Sequence, residues 1–272
     1  MTSALTSVVD SQVHLFPAAA RDAAARFGHR VISAKQLVAE MNEAGVARAV
    51  LVPPRVPEAT NESALEIVER RPDLFGLVAR LTGLYDDLPL FFGPHRSSRV
   101  LGARVSFPPS GPSPADPQFA DLWSAAERAG IPLMAWSPRR LDDLAAIARS
   151  HPGLKVAIDH CGLLAEDHGP ALIERLAELL PLAELPNISV KASSLPLHSE
   201  QPFPFRDMAD FTLKIVHAFG PARVFWGSDL SGLHCTYRQC VEMFTENLAE
   251  LTADDIALIM GDAVTTWLNW SA

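Results

Sequence analysis

Ionisable and amide side chains interrupt three segments of the sequence that otherwise have the apolar composition of buried β-strands. Asp10, Gln12 and His14 occupy alternate positions in the first segment, so we expect their side chains to share one face of a strand. His160 ends the segment KVAIDH, and Asp229 ends the segment VFWGSD. A carboxylate and imidazoles at one site can provide a general base and donors to an oxyanion, or ligands for a divalent metal ion.

The elements that must position these residues are eight short segments rich in apolar and β-branched residues. Amphipathic stretches lie between them, and this alternation predicts parallel strands joined by crossover helices. The predicted strands cover residues 8–16, 47–54, 75–81, 100–107, 131–137, 155–161, 187–193 and 223–229. We therefore predict an α/β fold, a single (β/α)8 TIM barrel over residues 1–272. An open doubly wound sheet is the alternative, but no glycine-rich phosphate loop supports it.

Several of the predicted helices have explicit boundary signals. Ser33 and Gln36 match the capping-box pattern, and Gly45 is expected to end the helix that they begin. Ser137-Pro138 predicts the start of a later helix. A further helix is predicted from an apolar stripe that is formed by Leu172, Ile173, Leu176 and Leu179.

His14, His160 and Asp229 each lie near the carboxyl end of a predicted strand. In a TIM barrel these ends meet at one mouth, where the loops that follow the strands form the active site. An isolated histidine or aspartate at such a position usually hydrogen-bonds a loop, but three of them at one rim predict a functional site. Two proline-rich loops, 108–117 and 194–205, are expected at the same face, although most loops serve only as connections.

The composition narrows the classes of function. The chain has 272 residues, with 23 Lys and Arg against 32 Asp and Glu, which gives a formal net charge of −9. This acidic balance, without a basic stripe, argues against a nucleic-acid partner. No signal peptide or membrane-spanning run is visible, so we expect no membrane partner. Three cysteines without a CxxC pattern indicate reduced thiols and a cytoplasmic protein, and a homo-oligomer is left open.

Four segments resemble the corresponding segments of amidohydrolase-related proteins, a family of TIM-barrel enzymes in the amidohydrolase superfamily. They are VVDSQVHLF, VAIDHCGL, NISVKAS and VFWGSDLS. The resemblance extends over nearly the whole chain, including PDLFGLVARL and the last predicted helix, IALIMGDAVTTWL. The combination of D-x-x-x-H, D-H-x-G and W-G-S-D in this order is fairly specific to the family, whereas none of the three patterns is specific alone.

The sequence departs from the metal-dependent members of this family at two positions. Those members have His-x-His on strand one, a histidine at the end of strand five, a histidine on strand six and an aspartate on strand eight. Here Gln12 replaces the first histidine, and Trp136 lies at the strand-five position. The resemblance therefore implies no required metal cofactor. A divalent ion such as zinc, bound by His14, His160 and Asp229, is the alternative.

The resemblance is closest to the metal-independent lactonase branch, typified by 2-pyrone-4,6-dicarboxylate lactonase. It implies that Asp229 is the general base, that His160 and His14 donate hydrogen bonds to the oxyanion, and that Gln12 keeps a donor beside them. The expected function is a hydrolase that opens a small carboxylate-bearing lactone or ester without a required metal. The alternatives are a metal-dependent amidohydrolase or decarboxylase on the same fold, and an inactive barrel that binds a small acid.

Cationic side chains inside predicted strands indicate the charge of the substrate. Arg80, Arg104 and Lys191 lie in the carboxyl halves of their strands, where a charge needs a partner or a polar cavity. Because arginine is suited to bidentate carboxylate recognition, we expect these residues to contact a small anionic substrate. Internal ion pairs, for instance with Asp10 or Asp159, are the alternative, since buried charges are usually paired.

Three further residues are predicted to lie near the substrate. Trp136 is expected to form part of the pocket wall, with no catalytic role. His198 and His234 lie on the loops that follow strands seven and eight, and we expect them to contact the substrate at the rim. A loop histidine is more often simply solvated, and that interpretation is left open for both.

Overall fold

Eight parallel β-strands form one sheet in the computed structural model, which describes residues 7–81 and 97–270. The strands are hydrogen-bonded in chain order, each to the next, which is the order of a (β/α)8 barrel. The predicted fold class is confirmed. The strands are β1 (Val8–Val13), β2 (Val46–Leu51), β3 (Phe75–Arg80), β4 (Val100–Ser106), β5 (Leu133–Trp136), β6 (Val156–Ile158), β7 (Ile188–Ser193) and β8 (Val224–Gly227).

The last strand meets the first, so the barrel is nearly closed. The Asp229 backbone N–H donates to the Gln12 carbonyl oxygen over 2.9 Å. A Cβ atom on Gly227 would lie 2.7 Å from Ser11 Oγ, so β8 approaches β1 this closely only because that residue is glycine. Closure brings the carboxyl ends of the strands to one mouth, and this mouth is where the predicted site residues must meet.

Helices alternate with the strands and cover the outside of the barrel. Those in the described ranges are α1 (Arg21–Arg26), α2 (Ala34–Ala44), α3 (Asn61–Arg70), α4 (Ala120–Ala129), α5 (Leu141–Ser150), α6 (Pro170–Leu179), α7 (Asp207–Phe219), α8 (Tyr237–Asn247), α9 (Ala253–Ala257) and α10 (Ala263–Trp267). The Ser33 side chain accepts from the Gln36 N–H in a capping box before α2, and Gly45 ends this helix with a φ of 74°, as predicted. None of these helices has the length and apolar composition that a membrane span requires.

Two local predictions about helices are wrong. Ser137-Pro138 does not begin a helix, because Arg139 has a left-handed backbone conformation with a φ of 66°, and α5 starts only at Leu141. Ile173 does not belong to the buried stripe of α6 and is 69% exposed, whereas the three leucines of that stripe are buried. The apolar face of this helix is therefore narrower than the sequence pattern predicts.

Two apolar cores lie on opposite sides of the sheet. The larger one fills the space between the strands and the surrounding helices. The smaller one fills the inside of the barrel, where Val50, Met134 and Phe225 belong to the same cluster as Leu268 and Trp270 from the C-terminal segment. Because these apolar side chains fill the barrel interior from the amino-terminal end, the site must lie above them at the mouth.

Candidate active site

Three residues at the mouth follow their strands in a left-handed backbone conformation. His160, Ser194 and Asp229 come after β6, β7 and β8 and have φ angles of 53°, 62° and 54°. Each lies in or just before a short 3-10 turn, so β6 and β8 end earlier than the sequence predicts. A non-glycine residue held in a sparsely populated conformation costs about 1–3 kcal/mol, and such residues cluster at functional sites. The three side chains all line the same cavity.

A cavity of about 500 Å³ opens at the barrel mouth. Seven of the ten residues that the sequence places in the site line it, and they come from the carboxyl ends of six strands or the loops that follow. They are His14, Arg104, Trp136, His160, His198, Asp229 and His234. The other three, Gln12, Arg80 and Lys191, do not line the cavity.

Among the residues that the structure describes, only one of the two carboxylate oxygens of Asp229 has a hydrogen-bond donor. Its Oδ2 accepts from the Ser194 hydroxyl over 3.0 Å. Its Oδ1 is buried, has no donor among the residues that the structure describes, and lies 3.6 Å from Nε2 of His14. Burial raises the pKa of this carboxyl, but the nearby His14 and His160 rings outweigh burial and lower the pKa to about 2. The carboxylate is therefore ionised at neutral pH.

His14 is held at both of its ring nitrogens. Nδ1 lies 2.5 Å from the Val52 carbonyl oxygen, and Nε2 lies 3.0 Å from the amide nitrogen of Gln12. Burial lowers the pKa of His14 to about 4, although the Asp229 carboxylate opposes this effect. The ring is therefore neutral at physiological pH and has a fixed orientation.

His160 is held at one ring nitrogen. Its Nδ1 lies 2.9 Å from Ser193 Oγ and 3.1 Å from Ser194 Oγ. Its Nε2 has no hydrogen-bond partner within residues 7–81 and 97–270, and the side chain lines the cavity. Burial lowers the pKa of His160 to about 4, against the opposing charges of Asp229 and Asp159. A neutral imidazole thus presents one nitrogen to a bound molecule.

A buried cluster of charges lies beneath the cavity. Arg104 Nε donates to Asp159 Oδ2 over 2.7 Å, and Lys191 Nζ lies 3.0 Å from Asp159 Oδ1. Burial would raise the pKa of the Asp159 carboxyl, but Lys191 and Arg104 outweigh burial and hold the pKa well below its usual value. Both cations therefore form the internal ion pair that the sequence left open as an alternative, and they form it with Asp159 rather than Asp10.

The two cations differ in what they can still bind. Lys191 is fully buried, and besides its ion pair the ammonium donates to Gln12 Oε1 and Met134 Sδ, so the structure gives no support for its predicted contact with the substrate. Arg104 lines the cavity. Apart from its bond to Asp159, the guanidinium has no acceptor in the described part of the chain, so its remaining N–H groups can bind an anion.

Arg80 does not line the cavity, so the structure gives no support for its predicted role in substrate binding. Its guanidinium donates to the backbone carbonyl oxygens of Pro54 and Ala59. These residues belong to the loop after β2, which also places Arg55 in the cavity wall. Arg80 therefore supports the shape of this loop, because a guanidinium can satisfy several carbonyl groups at once.

Asp10 does not share a face with Gln12 and His14, contrary to the prediction. The register of β1 against β2 shifts after Asp10, and such an irregularity breaks the period-two alternation of a strand. Asp10 instead accepts from the Tyr237 hydroxyl over 2.6 Å and from the Ser228 N–H over 2.9 Å. It therefore anchors the segment between β8 and α8 from outside the cavity.

Arg55 and His29 are among the cavity residues that the sequence analysis did not identify. The Arg55 guanidinium lies 5.6 Å from the centroid of the Trp136 ring, in a cation–π contact. His29 Nδ1 lies 2.9 Å from Ser231 Oγ. Both residues lie in loops, whereas the predicted cationic contacts, Arg80, Arg104 and Lys191, all lie inside strands. Arg55 is the first charged residue after β2, and its place beyond the carboxyl end of a strand was the available signal.

His198 and His234 both line the cavity. His198 is buried, and its Nδ1 lies 2.9 Å from the Asp167 carbonyl oxygen. Burial lowers the pKa of His198, so the ring is neutral at physiological pH. Both residues are placed where a substrate contact is possible, and their contact with a substrate stays a prediction.

The side chains that the structure describes at the barrel mouth are not arranged to bind a metal ion. Within residues 7–81 and 97–270, no group of three or more His, Cys, Asp or Glu side chains converges closely enough to hold one. Nε2 of His14, the atom that would bind a metal, instead faces the amide nitrogen of Gln12, which is a donor. Trp136, at the end of β5, offers no lone pair.

The comparisons with known proteins agree on the family and the fold. The amidohydrolase family model matches residues 9–264. No curated protein sequence gives a significant match. A zinc-bound amidohydrolase from Burkholderia multivorans is 20% identical and has a TM-score of 0.80, with 97% of this chain and 99% of that chain covered.

Two further solved structures show how widely the reactions on this fold differ. A candidate 2-pyrone-4,6-dicarboxylic acid hydrolase from Pseudomonas putida is 19% identical, with a TM-score of 0.79 and 98% of each chain covered. A 5-carboxyvanillate decarboxylase from Sphingomonas paucimobilis is 13% identical, with a TM-score of 0.69, and the match covers 97% of this chain and 99% of that chain. At these identities the likeness shows the shared fold and does not choose among the reactions.

Proposed function

The chain belongs to the amidohydrolase family, and from this premise we propose that it is a hydrolase of small carboxylate-bearing lactones or esters. In this proposal Asp229 activates water as a general base, and no metal is required. The observation that supports it most is Oδ1 of Asp229, an oxygen of an ionised carboxylate at the cavity wall without a donor from the described residues. Such an oxygen can accept a proton from a water molecule in the cavity.

The proposed reaction moves one proton and breaks one carbon–oxygen bond. Asp229 takes a proton from water while the water oxygen bonds to the carbonyl carbon of the substrate. The tetrahedral oxyanion then collapses, and the bond between that carbon and the ring or ester oxygen breaks. The leaving oxygen takes the proton from Asp229, which restores the carboxylate. The products are a carboxylic acid and an alcohol or enol.

Arg104 and His160 are the groups best placed to stabilise the oxyanion. The guanidinium of Arg104 has N–H groups left for the cavity, and Ser193 can donate to Nδ1 of His160, which leaves Nε2 of that ring as an N–H donor. His14, which the sequence predicts in the same role, has both ring nitrogens engaged by Val52 and Gln12. We therefore assign no oxyanion contact to His14.

The absence of a metal from the proposed reaction favours an activated acyl group. A metal ion lowers the pKa of bound water and polarises the carbonyl group, and a carboxylate base supplies neither effect. Lactones and enol esters have better leaving groups than amides, so they need less activation. A lactone or ester is therefore a more suitable substrate class for this site than an unactivated amide.

Arg55 supports an anionic substrate. Its guanidinium lies at the cavity wall beside Trp136, and the structure shows no carboxylate bound to it within the described residues. Burial and the positive charge of Arg104 both lower the pKa of Arg55, so a negative group between the two arginines is electrostatically favoured. We assign the substrate carboxylate to this position.

Replacing Arg55 by methionine is expected to raise KM about tenfold and to leave kcat nearly unchanged. The change removes one charge-assisted contact to a remote carboxylate, worth about 1.5 kcal/mol at this partly exposed position. Steady-state kinetics with an anionic lactone measure the effect. Arg70→Met, a change of the same kind on the exposed face of α3, is the control and should alter neither constant. An unchanged KM for Arg55→Met would place the carboxylate elsewhere.

A panel of lactones and esters, with and without a carboxylate, tests the proposed function. It includes 2-pyrone-4,6-dicarboxylate, because a candidate hydrolase of this compound shares the fold, and 5-carboxyvanillate as a decarboxylase substrate. Ring-opened or de-esterified acids as products support the proposal. Release of carbon dioxide from 5-carboxyvanillate would instead support the decarboxylase alternative, and turnover of no compound would favour a barrel that only binds a small acid.

Protein purified without added metal is expected to contain well under one equivalent of zinc, manganese or iron. The reason is the donor set, in which Gln12 and Trp136 stand at positions where metal-dependent relatives have histidines. Elemental analysis measures the content, and hydrolysis after treatment with a chelator measures the requirement. Stoichiometric metal together with loss of activity in the chelator would contradict a metal-free reaction.

The pH dependence of kcat/KM is expected to show one acidic limb near pH 4 and no loss of activity just below neutral pH. Asp229 must be ionised to act as a base, and its pKa of about 2 keeps it so. His14 and His160, each with a pKa of about 4, remain neutral until the pH falls through that value. A profile that declines around the ordinary histidine pKa of about 6.5 would contradict this account of the two rings.

A further inference from the structure

We propose that Lys191 and Gln12 act together as positioning residues that hold His14 in one tautomer and thereby keep Oδ1 of Asp229 available as a proton acceptor. Neither residue lines the cavity, and both are fully buried. Their contacts form a continuous line from the charge cluster beneath the cavity to the proposed base. The tautomer follows from these contacts alone, whereas its effect on Asp229 rests on the proposed function.

Lys191 fixes which end of the Gln12 side chain faces which neighbour. An ammonium group has only donors, so the atom of Gln12 that it contacts must be the oxygen, Oε1. The ammonium is itself held in place by Asp159, 3.0 Å away, and by Met134 Sδ, 3.3 Å away. The amide of Gln12 cannot reverse without bringing its N–H groups against a cation.

Gln12 in turn fixes the proton of His14. Because Oε1 faces Lys191, the NH2 group of Gln12 lies toward Nε2 of His14, at 3.0 Å. An N–H donor requires a lone pair, so Nε2 of the neutral ring must be unprotonated and Nδ1 must carry the proton. The other contact agrees, because Nδ1 lies 2.5 Å from the Val52 carbonyl oxygen, which can only accept.

The tautomer determines whether Asp229 has a hydrogen-bond donor at Oδ1. The nearest ring nitrogen is Nε2 of His14, 3.6 Å from Oδ1. A proton on Nε2 would be shared with the carboxylate and would reduce its ability to take a proton from water. With the proton held on Nδ1, Oδ1 receives no donor from this ring. Lys191 and Gln12 therefore act on catalysis through His14, without contact to the substrate.

NMR spectra of the imidazole nitrogens, recorded on protein with isotopically labelled histidine, measure the tautomer of His14 directly. Protonated and unprotonated ring nitrogens have well-separated chemical shifts. The His14 signals are assigned from their loss in His14→Gln. We expect the unmodified protein at neutral pH to show His14 protonated at Nδ1 only. A His14 signal protonated at Nε2 in the unmodified protein would overturn the proposal, and this outcome requires no variant to fold.

Two variants test the parts played by the positioning residues. Gln12→Glu keeps the shape and the contact with Lys191 but cannot donate, so Nε2 of His14 should become protonated. Lys191→Met leaves the Gln12 amide able to rotate, so both tautomers should appear. Gln36→Glu, the same change in the cap of α2, is the control and should leave the His14 signals unchanged. An unchanged tautomer in either folded test variant would overturn the role of the residue replaced.

Kinetics then separate this proposal from the proposed function. With a lactone that the protein hydrolyses, Gln12→Glu should lower kcat about tenfold or more with little change in KM, because the base and not substrate binding is affected. A protonated Nε2 with unchanged kcat would overturn the link to Asp229 while leaving the tautomer established. If the protein hydrolyses no lactone or ester, the proposed function fails, and the NMR result still decides the tautomer.

Discussion

Replacing Asp229 by asparagine is expected to lower kcat about 10²–10⁴-fold, because loss of a general base typically costs that much in rate. Asparagine has the same size and cannot accept the proton of water as a carboxylate does. It also tolerates the left-handed backbone conformation of this position better than most residues, so the turn after β8 should persist. Steady-state kinetics on the panel lactone that is hydrolysed fastest measure the change.

The control for this variant is Asp142→Asn, which makes the same chemical change in the first turn of α5, outside the cavity. It should leave kcat unaffected. Equilibrium binding of the unreacted lactone to Asp229→Asn should be close to that of the unmodified protein. Near-normal turnover by Asp229→Asn would show that the base lies elsewhere in the cavity.

Replacing Asp159 by asparagine is expected to destabilise the protein by about 3–5 kcal/mol, the typical cost of removing one partner from a buried ion pair. The carboxylate is the counter-charge for both Arg104 and Lys191, and all three residues are buried. Without it, two positive charges remain near each other in a medium that solvates them poorly. The free energy of unfolding, measured with urea at neutral pH, gives the magnitude.

Asp73→Asn is the matched control, because Asp73 also pairs with an arginine but is 59% exposed. An exposed pair contributes little to stability because water screens its charges, so this variant should unfold at nearly the same urea concentration as the unmodified protein. An equally small effect for Asp159→Asn would mean that the cluster beneath the cavity is not held together by this carboxylate.

The barrel could be predicted because its strands and helices differ in periodicity. Each strand segment is apolar, and cap residues such as Ser33 and Gly45 mark the ends of the helices between the strands. The alternation of strands and helices implies that the strands pair in parallel. Strand ends were less predictable. Asp159, His160 and Asp229 continue the strand pattern in sequence, but the backbone leaves the strand for a short turn before or at these positions, which composition does not reveal.

The site could be predicted only where position along a strand determines position in space. His14, His160 and Asp229 meet at the mouth because each lies at the carboxyl end of its strand. The partner of a buried cation depends instead on the relative register of separate strands, so the pairing of Lys191 with Asp159 could not be chosen over other acids. The register shift after Asp10 likewise has no sequence signal. It interrupts the period-two alternation of β1, so Asp10 could not be placed correctly from the sequence.

The most direct test of metal-free hydrolysis is to run the reaction in water labelled with a heavy isotope of oxygen, with a chelator present. The substrate is the panel lactone that is hydrolysed fastest, and the product is analysed by mass spectrometry. We expect one heavy oxygen atom in the new carboxylate, at an unchanged rate in the unmodified protein and at a greatly reduced rate in Asp229→Asn. A product without heavy oxygen, or turnover that stops in the chelator and returns with added metal, would contradict the account.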